Sequence, residues 1–327
     1  MNKPQKIRWL IAHEPIKLFL RTAEAFSSKI AELTNGQFEV EIYTPTQYLE
    51  KTSAYNHYID SFVFAKDNGP MMELEDGNIE MSQLHISEIG KYHNPDFFAL
   101  ELPFLFRDHD HSAAVFEGPI GQSLLTSLKD HSPAQGLAFT YSGGFRCIAT
   151  DAPISTVEEL KDMTLATGTN PVTVDTVNAM GARAESFPIK DHFKKFREEG
   201  YNADAVETTI PRYLAQFQGT SKRNLLNTKH NMFITTIIVS NQFWATLDIA
   251  TQNAFREASL YASRLERQWS IEDSDNFAAK KNHSDIGVTY VELDKAETDK
   301  LKELTAPLYT KYKDFFTADL VDGIIRS

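Results

Sequence analysis

Arg146 follows two glycines in Gly143-Gly144-Phe145-Arg146 and precedes an apolar run that starts at Cys147. An arginine at such a strand junction presents a rigid fork of N–H donors suited to a carboxylate. The same fork could instead close a salt bridge to a neighbouring Asp or Glu, and the residues alone leave both readings open. His109-Asp110-His111 has metal-ligand residue types, but it lies in a polar stretch behind the apolar block Pro103-Phe104-Leu105-Phe106. It reads as a solvated turn, since zinc needs further protein ligands at fixed geometry. His13-Glu14 is not the H-E-x-x-H pattern, because Lys17 stands where the second His belongs. Cys147 beside Arg146 could be an activated thiol, but a small core residue is the simpler reading. Nucleophile-elbow, Walker and dinucleotide glycine patterns are missing from the sequence. No catalytic residue, metal site or cofactor is assigned.

The elements that must position these residues alternate in type. Ile7, Trp9 and Ile11 alternate along a strand, and Phe19, Ala23, Phe26, Ile30 and Leu33 recur at helical spacing. Asn35-Gly36 closes that helix, and Phe38, Val40 and Ile42 form a second strand. The opening β-α-β implies a parallel crossover. Residues 112–129 read as one helix and 137–141 as a strand leading to Arg146. The stretch 154–163 reads as a turn, a capping serine or threonine and a short helix. Then follow a strand at 164–167, a Gly-Thr-Asn-Pro turn at 168–171 and a helix at 172–180 stopped by Gly181. Residues 233–240 are the most β-branched run and read as a buried central strand. Residues 244–281 read as one helix of roughly 50 Å at 1.5 Å per residue. A strand at 288–293 precedes helical stretches at 294–312 and 317–325.

The chain has 327 residues, 42% hydrophobic and 24% charged, which fits a globular protein of two ordinary domains or one large one. A net charge of −12 argues against nucleic acid, since no basic stripe is available to neutralise phosphates. One cysteine permits no intrachain disulfide. No apolar run approaches the ~20 residues that span a bilayer.

These features together resemble the solute-binding proteins of tripartite ATP-independent periplasmic (TRAP) transporters, over nearly the whole chain. The carrying pieces are Pro103-Phe104-Leu105-Phe106-Arg107-Asp108, residues 155–163, and Asp175-Thr176-Val177-Asn178-Ala179-Met180-Gly181-Ala182. Gly200 with Asp204 and Glu207, and His230 with the β run ending in Trp244-Ala245-Thr246-Leu247, complete the order. The resemblance implies an α/β fold of the periplasmic-binding-protein kind: two lobes, hinge strands and a long helix spanning both. Lobe I is expected over 1–143 plus about 233–271, and lobe II over 144–232 plus about 272–327. It further implies a monomeric periplasmic receptor, its signal peptide removed, that closes on a small-molecule solute and delivers it to membrane permease subunits.

The ligand-binding residues so implied are His13, Glu14, Gln83, Arg146, Ala166, Thr169, Asn170, Ile189, Glu207 and Thr208. One departure matters most. The arginine that the family carries in the strand after its "DLKG" run is Ala166 here, within Thr164-Leu165-Ala166-Thr167. The family's asparagine after the glutamate is Thr208, and its ligand-packing aromatic is Ile189. Alanine supplies neither charge nor donor, which favours a neutral or amine-bearing solute, with Glu207 and Glu14 as partners for an amine. The alternative is a small carboxylate held by Arg146 alone. Readings of another class are a cleft hydrolase using His13, Glu14 and Glu207, or a ligand sensor on the same fold.

Overall fold

Ile7, Trp9 and Ile11 are buried along strand β1, Gln5–Ile11, with Leu10 buried as well, and the helical stripe from Phe19 to Ile30 builds the helix Ile16–Leu33 behind it. Asn35 and Gly36 both take positive φ, 51° and 75°, and turn the chain into β2, Phe38–Tyr43, parallel to β1. The computed structural model describes residues 3–12, 16–51, 58–60, 63–64, 69–186, 202–217, 220–280 and 283–327. It divides into two α/β units. Unit 1 comprises Met1–Asn94, Ala113–Ser142 and Ile234–Trp269; unit 2 comprises Pro95–Ser112, Gly143–Phe233 and Ser270–Ser327. Among the described residues no helix is long and apolar enough to cross a membrane.

In unit 1 the strands run in the order β2-β1-β5-β11-β6, where β5 is Met81–His85, β11 is Met232–Ser240 and β6 is Ala134–Thr150. A separate two-stranded ribbon pairs β3, Tyr58–Asp60, with β4, Val63–Phe64. β11 is buried along its length, as its β-branched sequence requires, and pairs antiparallel with β5. Phe26 and Phe255 pack edge-on at 5.6 Å, with Trp9 5.2 Å from Phe26 and Phe38 5.2 Å from Phe255. Each such ring contributes roughly 2–3 kcal/mol by leaving water.

In unit 2 the order is β6-β9-β7-β8, with β10 beside β6 and β12 beside β10. These are β7, Thr164–Thr167; β8, Arg183–Ser186; β9, Ala205–Thr209; β10, Asn224–Asn227; and β12, Thr289–Glu292. β7 lies parallel to both β8 and β9, whereas β6 runs antiparallel to β9.

Several boundaries differ from the sequence expectation, each for a local reason. The strand expected at 137–141 continues through the glycines to Thr150. Gly143 and Gly144 adopt φ of 88° and 70° inside it, and a Cβ on Gly143 would stand 2.7 Å from the Thr209 Cβ. Only glycine fits there. The single helix expected over 112–129 is two, His109–Glu117 and Pro119–His131, because Pro119 cannot continue the first. His109-Asp110-His111 is therefore a helix start rather than a solvated turn, with the Asp108 carboxylate accepting the His111 N–H at 2.7 Å. The long helix begins at Ile249, not 244, since the Asp248 carboxylate accepts the Thr251 N–H at 2.7 Å and caps it. It runs 30 residues to Ala278, roughly 45 Å. Pro307 likewise splits the helix expected at 294–312. At 155–160 the cap is the reverse of the expected one: Glu159 accepts the N–H groups of Ser155 and Thr156, at 2.8 and 2.9 Å.

Candidate functional site

Strand alternation sorts the unit 2 residues onto two faces of its sheet. Ala166 pairs with Val206, and both pack with Cys147, Ala149, Tyr213 and Phe217 in one apolar cluster. Leu165 pairs with Ala205, and both pack with Ile148, Val177 and Leu226 on the other face. Glu207 lies opposite Ile148, and Arg146 is two residues from Ile148 on the same strand. Arg146 and Glu207 thus share the second face, while Ala166 and Thr208 belong with Cys147 on the first.

On the second face a buried polar network forms at the carboxyl end of β7. The Arg146 guanidinium lies 3.3 Å from Glu207 Oε2 and 3.5 Å from Glu101 Oε1. Its carbon sits 4.9 Å from the centre of the Phe233 ring. Thr167 Oγ1 donates to Glu207 Oε2 at 2.7 Å, and His230 Nε2 meets Glu207 Oε1 at 2.8 Å. An ionised carboxylate only accepts, so His230 Nε2 carries a proton. His230 Nδ1 lies 2.6 Å from Thr228 Oγ1. Asn170 donates from Nδ2 to Glu101 Oε2, and its Oδ1 accepts the Val172 N–H at 2.9 Å to cap the helix Pro171–Ala179. Arg146, Glu207, Glu101, Asn170 and His230 are all buried. Burial alone would raise the Glu207 carboxyl, but the Arg146 charge and the His230 hydrogen bond outweigh it and hold it at about 2. One guanidinium is thus bracketed by two carboxylates. The Thr228–His230–Glu207 order is that of a hydroxyl–imidazole–carboxylate relay, but Thr228 is buried and its Oγ1 also reaches the Arg146 carbonyl at 3.4 Å.

The remaining candidates fall elsewhere. Thr169 is half-buried beside the exposed Gly168, in the loop after β7. Thr208 is buried, its hydroxyl donating to the Thr209 carbonyl at 3.3 Å. Gln83 lies in unit 1, buried on β5. His13, Glu14 and Ile189 lie outside the described residues. Cys147 is fully buried, its thiol pushed up by burial and within 3.6 Å of the Thr208 carbonyl, a core residue rather than an activated thiol. His111 has both ring nitrogens engaged, Nδ1 accepting the Arg107 N–H at 3.1 Å and Nε2 2.8 Å from the Ile324 carbonyl.

Sequence reasoning missed two carboxylates. Glu101 ends the 3₁₀ helix Pro95–Glu101 and meets its partners from a distant part of the chain, with no local signal. Glu266 is buried in unit 1 with Gln83 Nε2 at 2.8 and 3.0 Å and Thr22 Oγ1 at 2.6 Å. A signal for it existed. Phe255, Ala258, Ala262 and Glu266 follow one another at helical spacing, so a charge stands in the buried stripe.

Two α/β units assembled from discontinuous segments, with parallel strands that end in polar loops, define a solute-binding fold of the two-lobed periplasmic kind. The solved structures agree. The sugar acid binding protein DctPAm from Advenella mimigardefordensis, in complex with galactonate, matches with a TM-score of 0.82 and 20% identity, over 99% of this chain and 97% of that one. A TRAP periplasmic solute binding protein from Pseudomonas putida F1 with bound D-glucuronate matches with a TM-score of 0.79 and 21% identity, over 98% and 96%. Residues 12–314 match the family described as bacterial extracellular solute-binding protein, family 7, and the chain belongs to that family, the solute-binding proteins of TRAP transporters. Among curated relatives it is similar to the C4-dicarboxylate-binding periplasmic protein DctP of Rhodobacter capsulatus, 22% identical over 307 residues, covering 92% of this chain and 84% of that protein.

Proposed function

We propose that this chain is the periplasmic, monomeric solute receptor of a TRAP transporter, which closes its lobes on a small polar organic solute and passes it to membrane permease subunits. The solute we favour is neutral or amine-bearing rather than a simple carboxylate. The observation that carries this preference is the bracketing of Arg146 by Glu101 and Glu207, at 3.5 and 3.3 Å. A guanidinium already facing two carboxylates has little net positive charge left to offer a third. A network that holds two buried carboxylates suits an ammonium or hydroxyl donor instead. The galactonate and D-glucuronate bound by similar proteins favour the second reading, a carboxylate held by Arg146 alone.

Thermal unfolding in the presence of erythritol, ethanolamine, succinate and galactonate separates these readings. Erythritol or ethanolamine is expected to raise the melting temperature by several degrees, with neither acid matching it and with no solute consumed. A shift produced by succinate and galactonate alone assigns the site to carboxylates. Conversion of any probe to product overturns the receptor reading in favour of an enzyme.

A further inference from the structure

In unit 1 the apolar face of the sheet, packed by the helices Ile16–Leu33 and Ile249–Ala278, gives way to a polar cluster at the carboxyl end of β1. Gln83 pairs with Ile11, the last residue of that strand, and with Ile237 of β11. Carboxyl ends of parallel strands are where α/β folds receive ligands. The Gln83 amide nitrogen is triply engaged, with Thr235 Oγ1 at 2.9 Å and both oxygens of Glu266 at 2.8 and 3.0 Å. Glu266 is itself fixed by the Thr22 hydroxyl at 2.6 Å, while the nearby Thr140 hydroxyl donates to the Ser263 carbonyl at 3.3 Å. Among the described residues the charged group acting on Glu266 is Arg267, which donates to the Phe139 carbonyl at 3.1 Å and pairs with Glu117. At the other end of the amide, Gln83 Oε1 is buried and has no hydrogen-bond partner among the described residues.

A buried carbonyl oxygen left unsatisfied is costly, on a scale that a protein tolerates where something else completes it. The orientation that orphans Oε1 is imposed by Glu266, because an ionised carboxylate accepts only from the nitrogen end of the amide. We propose that Glu266 is a positioning residue for solute capture: it holds the Gln83 amide nitrogen inward and so presents Gln83 Oε1 as an acceptor for a hydroxyl or ammonium donor of the solute. The assignment rests on the receptor reading above. Burial pushes the Glu266 carboxyl up to about 7, against hydrogen bonds from Thr22 and Gln83 and the Arg267 charge. Above that pH the carboxylate locks the amide. Below it, the protonated acid has an O–H of its own to donate to Oε1, and the amide is free to turn over.

Two measurements test this. In the first, the side-chain amide of Gln83 is followed by NMR from pH 5 to 9 in the ligand-free protein. Its resonances are expected to titrate with a midpoint near 7. In Glu266→Gln, which is isosteric and keeps the cluster neutral, that titration is expected to vanish. Resonances that do not move, or that move identically in the variant, overturn the coupling. In the second, binding of erythritol and ethanolamine is measured by calorimetry at pH 8 and pH 6. Gln83→Met is expected to weaken each bound probe about tenfold, the scale of one lost hydrogen bond. Glu266→Gln is expected to remove the difference between the two pH values. Unchanged probe affinity in Gln83→Met overturns the acceptor role. If no probe binds the wild-type protein, the receptor's ligand class is what has failed, and the amide titration still decides the role of Glu266.

Discussion

Arg146→Ala is expected to destabilise unit 2 by about 3–5 kcal/mol at pH 7, the scale of removing one partner from a buried charge pair. The loss has a pH signature. In the wild type the Glu207 carboxyl is held at about 2, below its ordinary 4.5, so its contribution to stability is present above about pH 4.5 and is lost as pH falls toward 2. That contribution amounts to roughly 3 kcal/mol at 1.36 kcal/mol per pKa unit. With the guanidinium gone, Glu207 keeps its His230 and Thr167 hydrogen bonds but loses the charge that does most to offset its burial, so the depression shrinks. Urea unfolding of the two proteins should therefore differ most at pH 7 and progressively less below pH 4.5. A difference under ~1 kcal/mol, or one that does not change with pH, would detach Arg146 from Glu207.

Restoring the family's arginine at the position where it is missing is expected to harm the protein. Ala166 is fully buried and packs with Cys147, Val206, Tyr213 and Phe217, on the face of the sheet away from Arg146 and Glu207. Ala166→Arg drives a long cationic side chain into that apolar cluster, at a cost of several kcal/mol for an unpaired buried charge. A loss of that size lowers the melting temperature by about 10 °C in a unit of this length. No gain in succinate affinity should accompany it. A variant as stable as the wild type that binds succinate more tightly would mean that position 166 looks onto the solute, and the preference for a neutral or amine-bearing solute would fall with it.

Much of the frame was legible from local pattern. The period-2 run at Ile7–Trp9–Ile11, the β-prone run at β7, the Asn35-Gly36 stop and the Gly181 stop all appear where the residues place them, because each depends on neighbours within a few positions. Errors gathered where a single residue inside a smooth hydrophobic pattern decides the outcome: Pro119, Pro307 and the capping Asp248. The site was harder to read. Which face of the sheet a residue occupies depends on strand register, and the registers Ile148↔Glu207 and Ala166↔Val206 join segments far apart in the chain. Nothing in the residues flanking Ala166 separates it from Arg146. Glu101 gave no local warning as a partner, whereas Glu266 could have been noticed as a charge in an otherwise apolar stripe.

The burial of Cys147 carries one more consequence. It is the chain's single thiol, it sits fully enclosed in the Ala166 cluster, and its enclosure keeps it protonated. A thiol reagent in solution therefore has one address, reachable only when the sheet of unit 2 parts around it. The rate of its modification is a clock for that opening, already wired into the wild-type protein, and it counts the breathing of unit 2 without any added label.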